Sequence, residues 1–185
     1  MARLWGLLTW RLADAPVLPM RYSEYARAVQ TYIDRIEAMA ARAGSGAAGP
    51  AQPLRLDAAR AAARRWQQAA EELEAGLDRR TTSGAVLPDA TARQVNQLLM
   101  QVERAMTEGE GLKGRPFFKH LIYAPQPTYR EEVLPRIFEA IGAGDRDSIP
   151  RYEAQLAAAF GRAAGLLRQA RGLLADAGAA PTGRP

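Results

Sequence analysis

Apolar residues recur at three- and four-residue spacing through most of this chain, the period of a helix that buries one face. Tyr25, Val29, Tyr32, Ile33, Ile36 and Met39 make the first long stripe, with Ser23 placed to cap it. The stripe ends in "AGSGAAGPAQP", a linker of Gly, Ala and Pro without periodicity. A second helix is expected from about Leu56 to Arg79 along Ala59, Ala62, Trp66, Ala69, Leu73 and Leu77, broken by "TTSGAVLPD". Asp89 or Thr91 opens a third, whose apolar side is Val95, Leu98, Leu99, Val102 and Met106 and which stops at Gly109 and Gly111. A short helix follows around Glu131 to Ile141. "GAGDRDSIP" is a turn with a restart: Asp147 or Ser148 can cap, and Pro150 falls in the first turn. The last helix carries Tyr152, Leu156, Phe160, Ala163, Leu167 and Leu174. No strand-like alternation is sustained, so the fold class is all-α. Four long amphipathic helices make a four-helix bundle the economical solution, with an irregular crossing loop and a short extra helix.

The N-terminal "MARLWGLLTWRLADA" admits two readings. Arg3, the apolar run from Leu4 to Trp10 and the small residues around Asp14 have the outline of a signal peptide. The run is short, however, and Arg11 follows it at once. Leu4, Leu7, Leu8, Arg11 and Leu12 fit one face of a short helix that stops before Pro16, and that reading is preferred.

One stretch breaks the helical texture. "RPFFKHLIYAPQPTY" holds two Phe, two Tyr, three Pro and the chain's one His, His120. A lone His builds no metal site without carboxylates, and the nearest along the chain are Glu110 and Glu131. The expectation is therefore a histidine satisfied by backbone groups or Tyr hydroxyls. Glu131 and Glu132 read as helix-start carboxylates that complement the dipole. Trp66 among alanines reads as a core anchor. No Gly-rich phosphate loop, Ser-His-Asp arrangement or zinc motif is visible, and no cofactor is implied.

Composition narrows the classes further. The chain has 185 residues, 48% of them hydrophobic, enough for one domain with a core. There are no cysteines, which removes disulfides, thiolate metal sites and Cys nucleophiles together. The net charge is +5, but the basic spots Arg60-Arg64-Arg65 and Arg79-Arg80 flank Glu71-Glu72-Glu74 as a mixed solvated face. No basic cluster with interleaved aromatics marks a nucleic-acid partner. No apolar run approaches the roughly 18 to 20 residues that cross a bilayer.

"NQLLMQVERAMTEGEGLKGRPFFKHLIYAPQPTY", followed by "LPRIFEAI", resembles the C-terminal helical domain of the glutamate carboxypeptidase II and transferrin receptor family. "RLADAPVLPMRYSEYA" is similar to that family's junction between its peptidase domain and this helical domain, so the likeness runs from about Leu12 to Leu174. The resemblance implies a transferrin-receptor-like dimerisation domain, itself a four-helix bundle. It would be homodimeric and packed on an upstream two-zinc peptidase domain that holds all the metal ligands. Residues 1–15 would be a remnant of that domain's last helix, 16–178 the dimerisation domain and 179–185 a disordered tail. As it stands the chain would be non-catalytic, with no metal, cofactor, nucleic-acid or membrane partner of its own. The alternative is a stand-alone helical interaction domain. The compartment stays open, a secreted, periplasmic or membrane-anchored parent being compatible with the likeness. The resemblance also gives the odd stretch a role. Its prolines, Pro116 and Pro125 among them, would stop any helix, while its aromatics, Phe117 and Tyr123 among them, would fill the space where the connection crosses the bundle, with Arg115 and His120 in the same structural loop. Its end would reach the parent's substrate pocket. There Tyr129 matches a pocket Tyr, and Thr128 stands where glutamate-specific members carry Lys.

Overall fold

The computed structural model describes residues 1–43, 53–126 and 131–179. Six helices and two short strands follow in the order α1 (Ala2–Asp14), α2 (Tyr22–Ala43), α3 (Asp57–Ser83), α4 (Asp89–Arg104), β1 (Tyr123–Pro125), β2 (Glu131–Val133), α5 (Pro135–Ala143) and α6 (Ile149–Ala179). The four long helices are those the apolar stripes require. Helices α3 and α6 share the most extensive contact, α2 lies along α3, and α4 lies along α6. Their facing sides are largely alanine: Ala59, Ala62, Ala63 and Ala70 on α3, and Ala159, Ala163, Ala164 and Ala170 on α6, all buried. Small side chains let the two axes approach, and the bulk is supplied by Trp66 and Phe160, whose rings stack with centroids 5.6 Å apart.

Helix ends are where the sequence expectations fail. Ser23 does not cap α2; it lies inside the first turn, buried, and its backbone N–H and hydroxyl both donate to Glu74 of α3, at 3.0 and 2.7 Å. Likewise Glu153 of α6 accepts from the N–H groups of Ala58 and Ala59 at the start of α3. Glu37 of α2 accepts from Leu56 N–H at 2.8 Å and from Arg60, which also binds Asp34. The orphan donors of these N-termini are thus met by carboxylates from a neighbouring helix, which also suit the positive end of the helix dipole. Helix α4, by contrast, opens at Asp89 as expected, with Pro88 just before it. Helix α3 runs through Ser83, three residues into the expected break, and ends on Gly84, whose φ of 67° suits the left-handed C-terminal turn. Pro150 does fall in the first turn of α6, while the Ser148 hydroxyl before it donates to Asp145.

Between α2 and α4 the tie is polar and specific. The Tyr22 hydroxyl donates to the Leu99 carbonyl at 2.9 Å. Asn96, the chain's one asparagine, accepts from Leu18 N–H and donates to the Pro16 carbonyl, fastening the extended entry segment to α4. Helix α1 forms as expected but buries none of its residues; Leu4, Trp5, Leu7, Leu8, Trp10 and Leu12 are all exposed. No described helix is long and apolar enough to cross a membrane.

Candidate functional site

Helix α4 ends at Arg104, short of Gly109, and the chain then makes a two-legged excursion. Glu108 N–H donates to the Lys119 carbonyl, Leu112 N–H to Phe118, and Leu121 N–H to Met106. The tip is closed by Arg115 N–H on the Leu112 carbonyl at 2.9 Å. Leu112, Leu121, Ile122 and Ala124 turn into the core. Phe117 and Phe118 do not; Phe117 is 92% exposed. The expectation that the aromatics fill the crossing is corrected for these two, because aliphatic neighbours already occupy the interior.

Tyr123 and His120 do the linking. Tyr123 stacks on Tyr25, meets Tyr32 edge-on with the hydroxyls 3.2 Å apart, and stacks on His120. His120 Nδ1 accepts from the N–H groups of Ile122 and Tyr123 at 3.1 and 3.2 Å. Nε2 therefore carries the proton and donates to Glu103 of α4 at 3.0 Å. The lone His is satisfied by backbone as anticipated, and by the Glu103 carboxylate 17 positions earlier in the chain. The same Glu103 carboxylate raises the phenol pKa of Tyr25, after burial, and helps burial push that of Tyr22 up to about 12. Both stay neutral hydroxyls.

Below the excursion, β1 and β2 pair antiparallel with Tyr123 opposite Val133, Ala124 opposite Glu132 and Pro125 opposite Glu131. Glu131 and Glu132 thus lie in a strand, not at a helix start, and α5 begins only at Pro135. Arg115 reaches this hairpin from the side. One terminal nitrogen donates to the Pro125 carbonyl at 2.6 Å; the other donates to Glu132 at 3.0 Å and Glu139 of α5 at 2.5 Å. Its guanidinium also lies 5.5 Å from the Phe118 ring centre. Leu134, next along, is held at φ 48° with its N–H on the Ile122 carbonyl. A left-handed leucine costs about 1 kcal/mol, so surrounding packing must impose it. Arg136 is buried with hydrogen bonds to the Glu110 carbonyl and Gln155. Among the described residues no group of three or more His, Asp or Glu could hold a metal ion.

Residues 54–168, from just before α3 to well into α6 and including this whole loop, match the model of the transferrin receptor-like dimerisation domain. The chain belongs to that family. It is 31% identical over 83% of its length to a probable glutamate carboxypeptidase of Arabidopsis thaliana, and 28% identical over 76% to one of Zea mays. It spans only 21% and 19% of those proteins.

Within the dimerisation domain, the expected loop residues His120 and Tyr123 come together against α2 and α4, Arg115 ties the hairpin to α5, and Phe117 stands apart. Thr128 and Tyr129 lie outside the described residues. Glu103 and Glu139 were missed, and Glu132 was read only as a helix-start carboxylate, because each meets its partner through tertiary contact. Glu132 is 3% exposed, and one carboxylate oxygen has no hydrogen-bond partner. Burial raises its pKa above the usual carboxylate value, against the lowering effect of Arg115. A raised pKa means that Glu132 favours folding when protonated, and that this contribution is lost as pH rises through the folded-state value. Glu132→Gln should therefore be more stable than the parent chain at pH 7, with the gap closing by about pH 4. Urea unfolding at both values checks this; a variant weaker at pH 7 would mean that Arg115 outweighs desolvation.

Proposed function

We propose that this chain is the assembly domain of a glutamate carboxypeptidase-like zinc metallopeptidase, non-catalytic in itself. It supports a homodimer and completes the substrate pocket of the peptidase domain. The observation that carries this reading is 31% identity to a probable glutamate carboxypeptidase over 83% of this chain, which spans 21% of that protein. The exposed apolar faces of α1 and of Phe117 and Phe118 support it, since surfaces of this kind suit a protein partner. On this reading residues 1–15 are the end of the peptidase domain's last helix. The zinc ligands belong to that domain: the one His here is committed to Glu103 and backbone, and no described carboxylate cluster fits a metal.

In the pocket, Tyr129 offers a phenolic donor and Thr128 brings no cation. A charge-assisted hydrogen bond is worth about 1.5–3 kcal/mol against about 0.5–1.5 for a neutral one. In the full enzyme, Thr128→Lys should thus raise kcat/KM for glutamate-ended over alanine-ended dipeptides by roughly tenfold. A strong native glutamate preference that Tyr129→Phe leaves intact defeats the pocket role. The assembly role is tested by sedimentation of the chain itself. Concentration-dependent dimers are expected, and a clean monomer at high concentration that binds no apolar dye overturns it.

A further inference from the structure

The β1–β2 pair has three residues on each strand, too short a ladder to fix its own register in water. Yet this pair holds both ends of the connection 126–130, which carries Thr128 and Tyr129. Something else must set where those ends stand. The Arg115 side chain bonds both: the carbonyl of Pro125, the last residue of β1, and the carboxylate of Glu132 on β2. Its second carboxylate, Glu139, anchors the guanidinium to α5, and the Phe118 ring covers its face. The planar fork offers several donors in fixed directions, so one arginine can hold three acceptors at once; an ammonium group has no such fork.

We infer that Arg115 is a positioning residue, setting the two strand ends from which the 126–130 connection springs. For substrate recognition the consequence rests on the pocket role proposed above; the positioning itself does not. The exposed Phe118 becomes intelligible too, as a cover for the guanidinium rather than a core residue.

Hydrogen exchange on the full chain, read by mass spectrometry, tests this without substrate. Arg115→Ala should reduce protection of amides in residues 122–126 and 131–134 by about tenfold or more, while amides in the middle of α3 and α6 keep theirs. Arg115→Lys retains the charge and should show the same local loss at smaller size. Unchanged protection in 122–126 and 131–134 in either variant overturns the proposal, as does a loss spread evenly over α3 and α6. Should the alanine variant not fold, the lysine variant alone decides. Because no substrate is present, failure here leaves the pocket role standing. Failure of the dipeptide kinetics would equally leave the role of Arg115 untouched.

Discussion

Trp66→Ala will unfold this domain more readily than any other single truncation argued from the core. Trp66 is fully buried, meets Tyr25 edge-on at 5.0 Å and stacks on Phe160 at 5.6 Å. It joins α2, α3 and α6, and its neighbours on α3 are alanines with no bulk to collapse into the void. Removal of a buried aromatic costs about 3–5 kcal/mol, a large share of the roughly 5–15 kcal/mol that holds a domain together. For a chain of this length that is about 6–20 °C in Tm. Trp66→Phe should cost much less. The indole N–H finds no acceptor, so the smaller ring loses volume but also removes a buried donor that itself costs about 1–3 kcal/mol. Urea denaturation followed by circular dichroism compares the two. Equal losses for Phe and Ala would show that the indole N–H is partnered after all.

The second large effect is expected from a residue with no side chain. A Cβ on Gly111 would lie 2.1 Å from the Pro116 carbonyl oxygen and 2.4 Å from its carbon. These are backbone atoms. They cannot swing aside, because hydrogen bonds from Leu112 N–H to Phe118 and from Phe118 N–H to Arg115 clamp the tip on both sides. Gly111→Ala must therefore break the excursion open, at a cost of about 3 kcal/mol or somewhat more, the upper range for overpacking. Opening the tip would also displace Arg115 and Phe118. Gly109→Ala is the control: nothing lies within 4 Å of its Cβ, and a change within about 0.5 kcal/mol is expected. Matched denaturation midpoints for the two variants would refute the close approach.

The sequence by itself determined the four long helices and the face each buries. Val29, Ile33 and Ile36 on α2, Trp66 and Leu73 on α3, Leu99 on α4 and Phe160 on α6 were all read from spacing and are all buried. That information is local, since a helical stripe repeats within four residues and is written wherever the helix is. The family was legible as well, from one irregular stretch whose order of Arg, Pro, aromatic and His residues no periodic pattern produces. Tertiary structure alone decided how the ends and the loop are satisfied. Glu74 reaches back 51 positions to Ser23 and Glu153 reaches 95 to Ala58, so no local cap signal could mark either. Glu103 meets His120 and Glu139 meets Arg115 for the same reason. Glu132 reads as a helix-start carboxylate in sequence, yet it became a buried strand residue once Ala124 paired with it. Phe117 and Phe118 carry the hydrophobicity of core residues, but Leu112, Leu121 and Ile122 occupy the interior here and they stand outside. Helix α1 makes the same point in reverse. A stripe specifies that a helix will form, and only a partner surface, in this chain or another, specifies whether that stripe is buried.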